Sequence, residues 1–170
     1  MTSQLPTLHL FCGKIASGKS TLAAKLSRRD RHVLLSEDSW LSALYPEELR
    51  SPADYLRCTT RLRQAMGPHV IALLNTGISV VLDFSANTVE ARQWMRSLLD
   101  QTKAANQLHV LAAKDALCLQ RLARRNAAGE HPFQTTEGQF HQFSKYFVAP
   151  IPEEGFSLVW HNKTSEPQRR

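Results

Sequence analysis

The chain has 170 residues, 42% of them hydrophobic, and a formal net charge of +6. That length and composition fit one domain, 1–170, with a sizeable core, and no apolar run approaches the about 18 residues of a helical membrane span. Three cysteines, Cys12, Cys58 and Cys118, lie too far apart for a metal-spacing motif and are odd in number, so neither a disulfide framework nor a structural metal is expected.

Leu8 to Cys12 reads as a short buried strand. Gly13-Lys14-Ile15-Ala16-Ser17-Gly18-Lys19-Ser20 follows and spells G-x-x-x-x-G-K-S, the phosphate-binding P-loop. Its glycines let successive backbone N–H groups point inward at phosphates. Lys19 supplies a point charge for the β- and γ-phosphates, and the Ser20 hydroxyl suits Mg²⁺. Thr21 to Arg29 reads as a helix, with Leu22 and Leu26 spaced i, i+4. Strand, loop and helix in that order are the context this motif requires. A nucleotide is therefore the expected ligand, and Gly13 to Thr21 its binding loop.

Val33 to Ser36 is a second strand. Asp38 falls just beyond it, where a carboxylate could accept a proton from an attacking substrate hydroxyl. The same position also suits a helix cap, by Asp38 or Ser39, for a short helix ending near Tyr45. Ser51-Pro52 marks a helix start, and Gly67-Pro68 is expected to kink or divide the long helix that follows. Arg57 and Arg61, one turn apart on it, could bind an anionic acceptor or lie on its surface.

Ile78 to Phe84 is the most continuous strand, of the kind covered on both faces. Asp83 near its end has the loose Walker-B form and is a candidate for Mg²⁺ or for the substrate hydroxyl. Asn87, with Glu90 three residues on, reads as a cap for a helix reaching about Ala105, and could also donate to substrate. Leu108 to Ala112 is a fourth strand. The helix from Asp115 to Ala127 carries Arg121, Arg124 and Arg125 on one side. These arginines lead into a polar loop with a glycine hinge, so 121–135 is expected to be a lid that closes on the phosphates. His131 and His161 read as loop or core histidines. Thr136-x-x-Gln139 caps a helix bearing Phe140, Phe143 and Phe147, and Phe156 to Trp160 is a fifth strand. The tail 163–170 is polar and expected to be disordered. Met1 to Thr7 has neither the charged start nor the apolar core of a signal peptide, so a cytoplasmic protein is expected.

Strands alternating with helices predict an α/β fold, a parallel sheet with helices on both faces and ligands at the carboxyl ends of the strands. Together the residues from Phe11 to Thr21, Ser36-Glu37-Asp38, Val80 to Asp83 with Asn87, and Arg121 to Asn126 resemble the P-loop kinases grouped around polynucleotide 5′-kinase, chloramphenicol phosphotransferase and zeta-type toxin kinases, which are also described as AAA-type ATP-binding proteins. The resemblance spans Leu8 to about Trp160. It implies a P-loop NTPase three-layer α/β/α sandwich, with five strands ordered 2-3-1-4-5. It further implies that Asp38 is the general base and that Arg121 and Arg125 contact the phosphates of ATP. None of the additional parts of a ring-forming ATPase motor is visible, and Trp40 to Met66 matches no acceptor-specific pattern.

The expectation is thus a kinase that moves the γ-phosphate of MgATP to a hydroxyl, with Lys19, Asp38, Arg121 and Arg125 as its catalytic groups. The acceptor is a nucleic-acid 5′-end or a small molecule, and the basic charge leans toward a polyanion. A nucleotide-dependent switch or slow ATPase acting on a protein partner is the alternative.

Overall fold

The computed structural model describes residues 5–129 and 131–161; the tail expected over 163–170 lies outside them. Five strands form one sheet, every pairing parallel: β1 (Thr7–Cys12), β2 (His32–Ser36), β3 (Ser79–Ser85), β4 (Ala105–Leu111) and β5 (Leu158–His161). Their order is β2-β3-β1-β4-β5, as the resemblance implies. β1, the source of the P-loop, is therefore central. Its pairing with β3 is in register at Leu8↔Val80 and His9↔Val81 but shifts at Phe11↔Ser85. At that point the Ala86 N–H donates to the Phe11 carbonyl at 2.9 Å, which holds the two strand ends together where their loops diverge.

The period-two alternation of β1 sorts its side chains between the faces. Leu8, Leu10 and Cys12 enter the main core with Leu62, Val70 and Leu74 of α3 (Pro52–Asn75) and Met95, Leu98 and Leu99 of α4 (Val89–Leu99). Phe11 turns to the other face and packs with Val81 and with Ala23 and Leu26 of α1 (Lys19–Ser27). A third, smaller cluster joins Cys118 and Leu122 of α5 (Asp115–Ala128) to Phe140 of α6 (Glu137–Ser144). All three cysteines are free and buried.

The local signals set most element ends. Ser51 accepts from the Asp54 N–H with Pro52 at the first helical position, and Thr136 with Gln139 forms the expected capping box. Three expectations are corrected. Gly67-Pro68 does not divide α3, which runs unbroken for 24 residues. Pro68 lies on the exposed side, where water can serve the carbonyl that loses its partner, and Gly67 is buried against α4, where an added Cβ would come within 3.3 Å of Leu98. The glycine thus permits close helix packing and is not a break. α4 ends at Leu99, well before Ala105, which instead opens β4. Its N-cap is Thr88, which accepts from the Ala91 N–H, and not Asn87.

Candidate functional site

At the carboxyl edge of the sheet, the P-loop leaves β1, and α2 (Glu37–Leu44) leaves β2. Two glycines of the loop are required by its shape. A Cβ on Gly13 would lie 2.5 Å from Ser17 Oγ and 3.0 Å from the Leu111 carbonyl, while Gly18 has φ +104°. Gly18 is also the N-cap of α1, with no side chain capping that terminus and no acid in its first turn. The N-terminal N–H groups of α1 are therefore open to an anion. Ser17 Oγ is buried without a partner in the same turn. These features fit a nucleotide's phosphates.

Lys19 Nζ donates to the carbonyls of Gly13, at 2.5 Å, and Lys14, at 2.9 Å. Burial pulls its pKa down and the nearby Asp83 carboxylate pulls it back up. The Ser20 hydroxyl lies beside the Asp83 carboxylate and draws its pKa down, while burial, the larger effect, raises it. Ser20 and Asp83 thus form a hydroxyl–carboxylate pair beside the lysine. Among the described residues no group of three or more His, Cys, Asp or Glu could hold a metal. Mg²⁺ needs no such cage, because one or two carboxylates plus substrate phosphates hold it, and this pair fits that demand.

Asn87 is tied to the loop itself. Its Oδ1 accepts from the Gly13 N–H at 2.8 Å and its Nδ2 donates to the Gly13 carbonyl at 2.9 Å. Both polar atoms of the side chain serve the P-loop, and the helix cap expected of Asn87 is made by Thr88 instead.

Asp38 stands on the first turn of α2. The cap of that helix is Ser36, which accepts from the Ser39 N–H, so neither Asp38 nor Ser39 has that duty. The Asp38 side chain is 38% exposed and lies 3.3 Å, Oδ2 to Nε2, from His131. Its charge reaches Asp83, Lys19 and Arg125. Glu37 instead turns inward, 5% exposed, with Arg63 3.4 Å away. Burial pushes its pKa up to about 7, against the pull of Arg63.

α5 lies against the loop. Arg121 Nη1 donates to the Ser17 carbonyl at 3.1 Å, and Lys14 pairs with Asp115 at 2.7 Å. Arg125 sits near Asp38. Burial lowers its pKa, and its Nε is buried without a partner. Arg124 is exposed. The structure therefore brings Gly13 to Thr21, Asp38, Asp83, Arg121 and Arg125 to one edge.

Arg57 and Arg61 do not join them. Arg57 is held by Asp54 at 2.7 Å, with Glu48 at 3.9 Å, and Arg61 is exposed on α3. The arginine that does face the site is Arg63. It pairs with Glu37, and its guanidinium lies 5.3 Å from the Trp94 ring centre. Neither Arg63 nor His131 was singled out as functional by the sequence.

A family model for an AAA domain matches residues 8–150. The chain belongs to the AAA domain family. No curated protein matches it. Among solved structures, this AAA domain is similar to a candidate kinase from Chloroflexus aurantiacus, with 21% identity, a TM-score of 0.74, and coverage of 98% of this chain and 90% of that one. It is similar to Chaetomium thermophilum Kti12 in complex with ADP-AlF3, with 14% identity, a TM-score of 0.70, and coverage of 95% and 92%. It is also similar to the Mycobacterium tuberculosis APS kinase CysC in complex with AMPPNP and APS, with 18% identity, a TM-score of 0.61, and coverage of 98% and 91%. At these identities the likeness establishes the P-loop fold. No described helix of this AAA domain is long and apolar enough to cross a membrane.

Proposed function

We propose that this AAA domain is an ATP-dependent kinase that phosphorylates a hydroxyl of a small molecule. One observation carries the reading. A half-open carboxylate, Asp38, lies near enough to the P-loop lysine, to Asp83 and to Arg125 of α5 for its charge to act on all three. Simple nucleotide binding does not need a base at that place.

The backbone of Gly13 to Thr21 cradles the phosphates, and Lys19 neutralises charge on the β- and γ-phosphates. Ser20 and Asp83 would hold Mg²⁺, which supplies further neutralisation of the phosphate oxygens when bound. Arg121 and Arg125 exclude water and stabilise charge on the transferring group. The acceptor oxygen attacks the γ-phosphorus, the bond to the β–γ bridging oxygen breaks, ADP leaves, and the hydroxyl proton passes to Asp38. The complexes of Kti12 with ADP-AlF3 and of APS kinase with AMPPNP lend support by analogy of fold.

Charge placement favours a small acceptor over a nucleic-acid end. Arg57 and Arg63 are each engaged by acids. Arg28, Arg29 and Arg31 are exposed where α1 runs into the start of β2, the opposite end of that strand from Asp38. The basic excess therefore does not line the acceptor side. The reading is tested by incubating the protein with Mg²⁺ and γ-labelled ATP against polyols, nucleosides, amino sugars and 5′-hydroxyl oligonucleotides. Label on a small hydroxyl compound is expected. Label on oligonucleotides alone overturns the acceptor class. ATP binding with no labelled product from any of them overturns the kinase reading and favours the switch.

A further inference from the structure

We infer that His131 is a positioning residue that ties the α5–α6 segment to Asp38, so that the carboxylate is oriented only when that segment lies over the site. The role of Asp38 as base rests on the proposed function; the tie itself does not.

The imidazole is fixed from its own side. Nδ1 lies 3.1 Å from the Phe133 N–H and 2.8 Å from the Phe133 carbonyl. In the neutral ring Nδ1 can donate to the Phe133 carbonyl, which leaves Nε2 bare against a carboxylate, or accept from the Phe133 N–H, which leaves the proton on Nε2; the Asp38 carboxylate favours the second. In the charged ring Nδ1–H donates to the Phe133 carbonyl, and Nε2 still carries a proton. In both states an N–H therefore points at Asp38 Oδ2, 3.3 Å away. The Phe133 backbone permits that tautomer, the Asp38 carboxylate selects it, and protonation does not remove the donor.

The segment behind the ring is anchored twice more. Phe133 packs against the main core cluster, and Asn126 Nδ2 donates to the Thr135 carbonyl at 2.8 Å. Arg121, further up α5, holds the Ser17 carbonyl of the P-loop. His131 is thus the contact that carries this assembly across to α2. Asp38 has no capping duty and is 38% exposed, so without the imidazole its carboxylate is free to rotate. With one oxygen held by Nε2–H, the other faces the acceptor. The proton taken from the hydroxyl goes to that second oxygen, and His131 keeps its own.

The test uses backbone hydrogen exchange at 134–136, beyond the Phe133 N–H that Nδ1 holds directly, in the full chain with MgAMPPNP, alongside turnover of γ-labelled ATP. The variants are His131→Ala, His131→Gln, Asp38→Ala, and His131→Ala with Asp38→Ala. Loss of a charge-assisted hydrogen bond should speed exchange about tenfold in each alanine variant, and the double variant should be no faster than either alone. His131→Gln, whose amide N–H can reach the same carboxylate, should restore protection. Exchange unchanged in Asp38→Ala, or additive in the double variant, overturns the tie. With the tie present, His131→Ala should lower kcat while leaving the KM for ATP unchanged, and Gln should recover part of it. Equal kcat in wild type and His131→Ala overturns the positioning role. No turnover in the wild type overturns the kinase reading, and the exchange arm still decides the tie.

Discussion

Asn87 sets the P-loop by gripping both backbone polar groups of one residue, Gly13. Removing its side chain leaves the Gly13 N–H without that partner, at about 1–3 kcal/mol where water does not reach it, and leaves the Gly13 carbonyl to Lys19 alone. Asn87→Ala should therefore weaken MgATP binding about tenfold in a calorimetric titration. Asn87→Asp should do no better, because its carboxylate repels the Gly13 carbonyl. The P-loop itself was legible because its chemistry is contiguous in the chain. The Asn87 grip was not, since it spans 74 positions, and a capping pattern with Glu90 offered a local explanation that Thr88 in fact fulfils. The partners of Arg57 were hidden for a related reason. Spacing reports which residues share a helix face, not which acids already hold them, and Asp54 and Glu48 do so at Arg57.

Among the elements, the sheet face under α1 carries a row of histidines. His9 Nδ1 lies 3.1 Å from His109 Nε2, and His109 Nδ1 lies 2.9 Å from His161 Nε2. The His9 and His32 ring centres are 5.4 Å apart, and Phe11 stacks on His109 at 5.3 Å. Burial, reinforced by neighbouring histidines and Arg29, lowers the pKa of His9 and His109 to about 4. The unfolded chain takes up protons near 6.5, so it binds more than the folded one between there and about 4. This contribution is complete above pH 6.5 and lost as pH falls toward 4. Urea midpoints should drop steeply across that window, and His109→Gln should flatten the slope. The sequence pattern placed His9 and His109 in strands, left His32 and His161 just outside them, and could not reveal the row, which depends on inter-strand register. α3 teaches the complementary point. Its proline was read as a break, but burial of Cys58, Leu62, Val70 and Leu74 on one side outweighs one missing hydrogen bond. Pro68→Ala should raise Tm by about 2–4 °C, matching about 1 kcal/mol.

Over the whole molecule, one buried arginine joins the site to the last part of the chain. Arg92 makes a double contact with Glu154, and its Nη1 donates to the carbonyls of Ala86 at 2.9 Å and Val148 at 2.8 Å. The Val148 N–H in turn donates to the Asn87 carbonyl at 2.9 Å. The turn that grips the P-loop is thereby braced by 148–154. Arg92→Met should cost about 3–5 kcal/mol, because Glu154 and two carbonyls lose their partner, and should also weaken ATP binding. At this scale the alternation of strands and helices announced a parallel sheet, while the strand order came only from the family resemblance. The net charge of +6 suggested a polyanionic acceptor, yet composition carries no location, and the exposed arginines of 28–31 lie at the other end of β2 from Asp38.

The account turns on Asp38 as the group that takes the acceptor's proton. The direct measurement is γ-labelled phosphate transfer by wild type and Asp38→Asn, side by side over the same panel of hydroxyl compounds, with MgATP affinity measured for both. Transfer should fall about 10²- to 10⁴-fold in Asp38→Asn while MgATP affinity stays unchanged. Transfer at the full wild-type rate by Asp38→Asn would contradict the account.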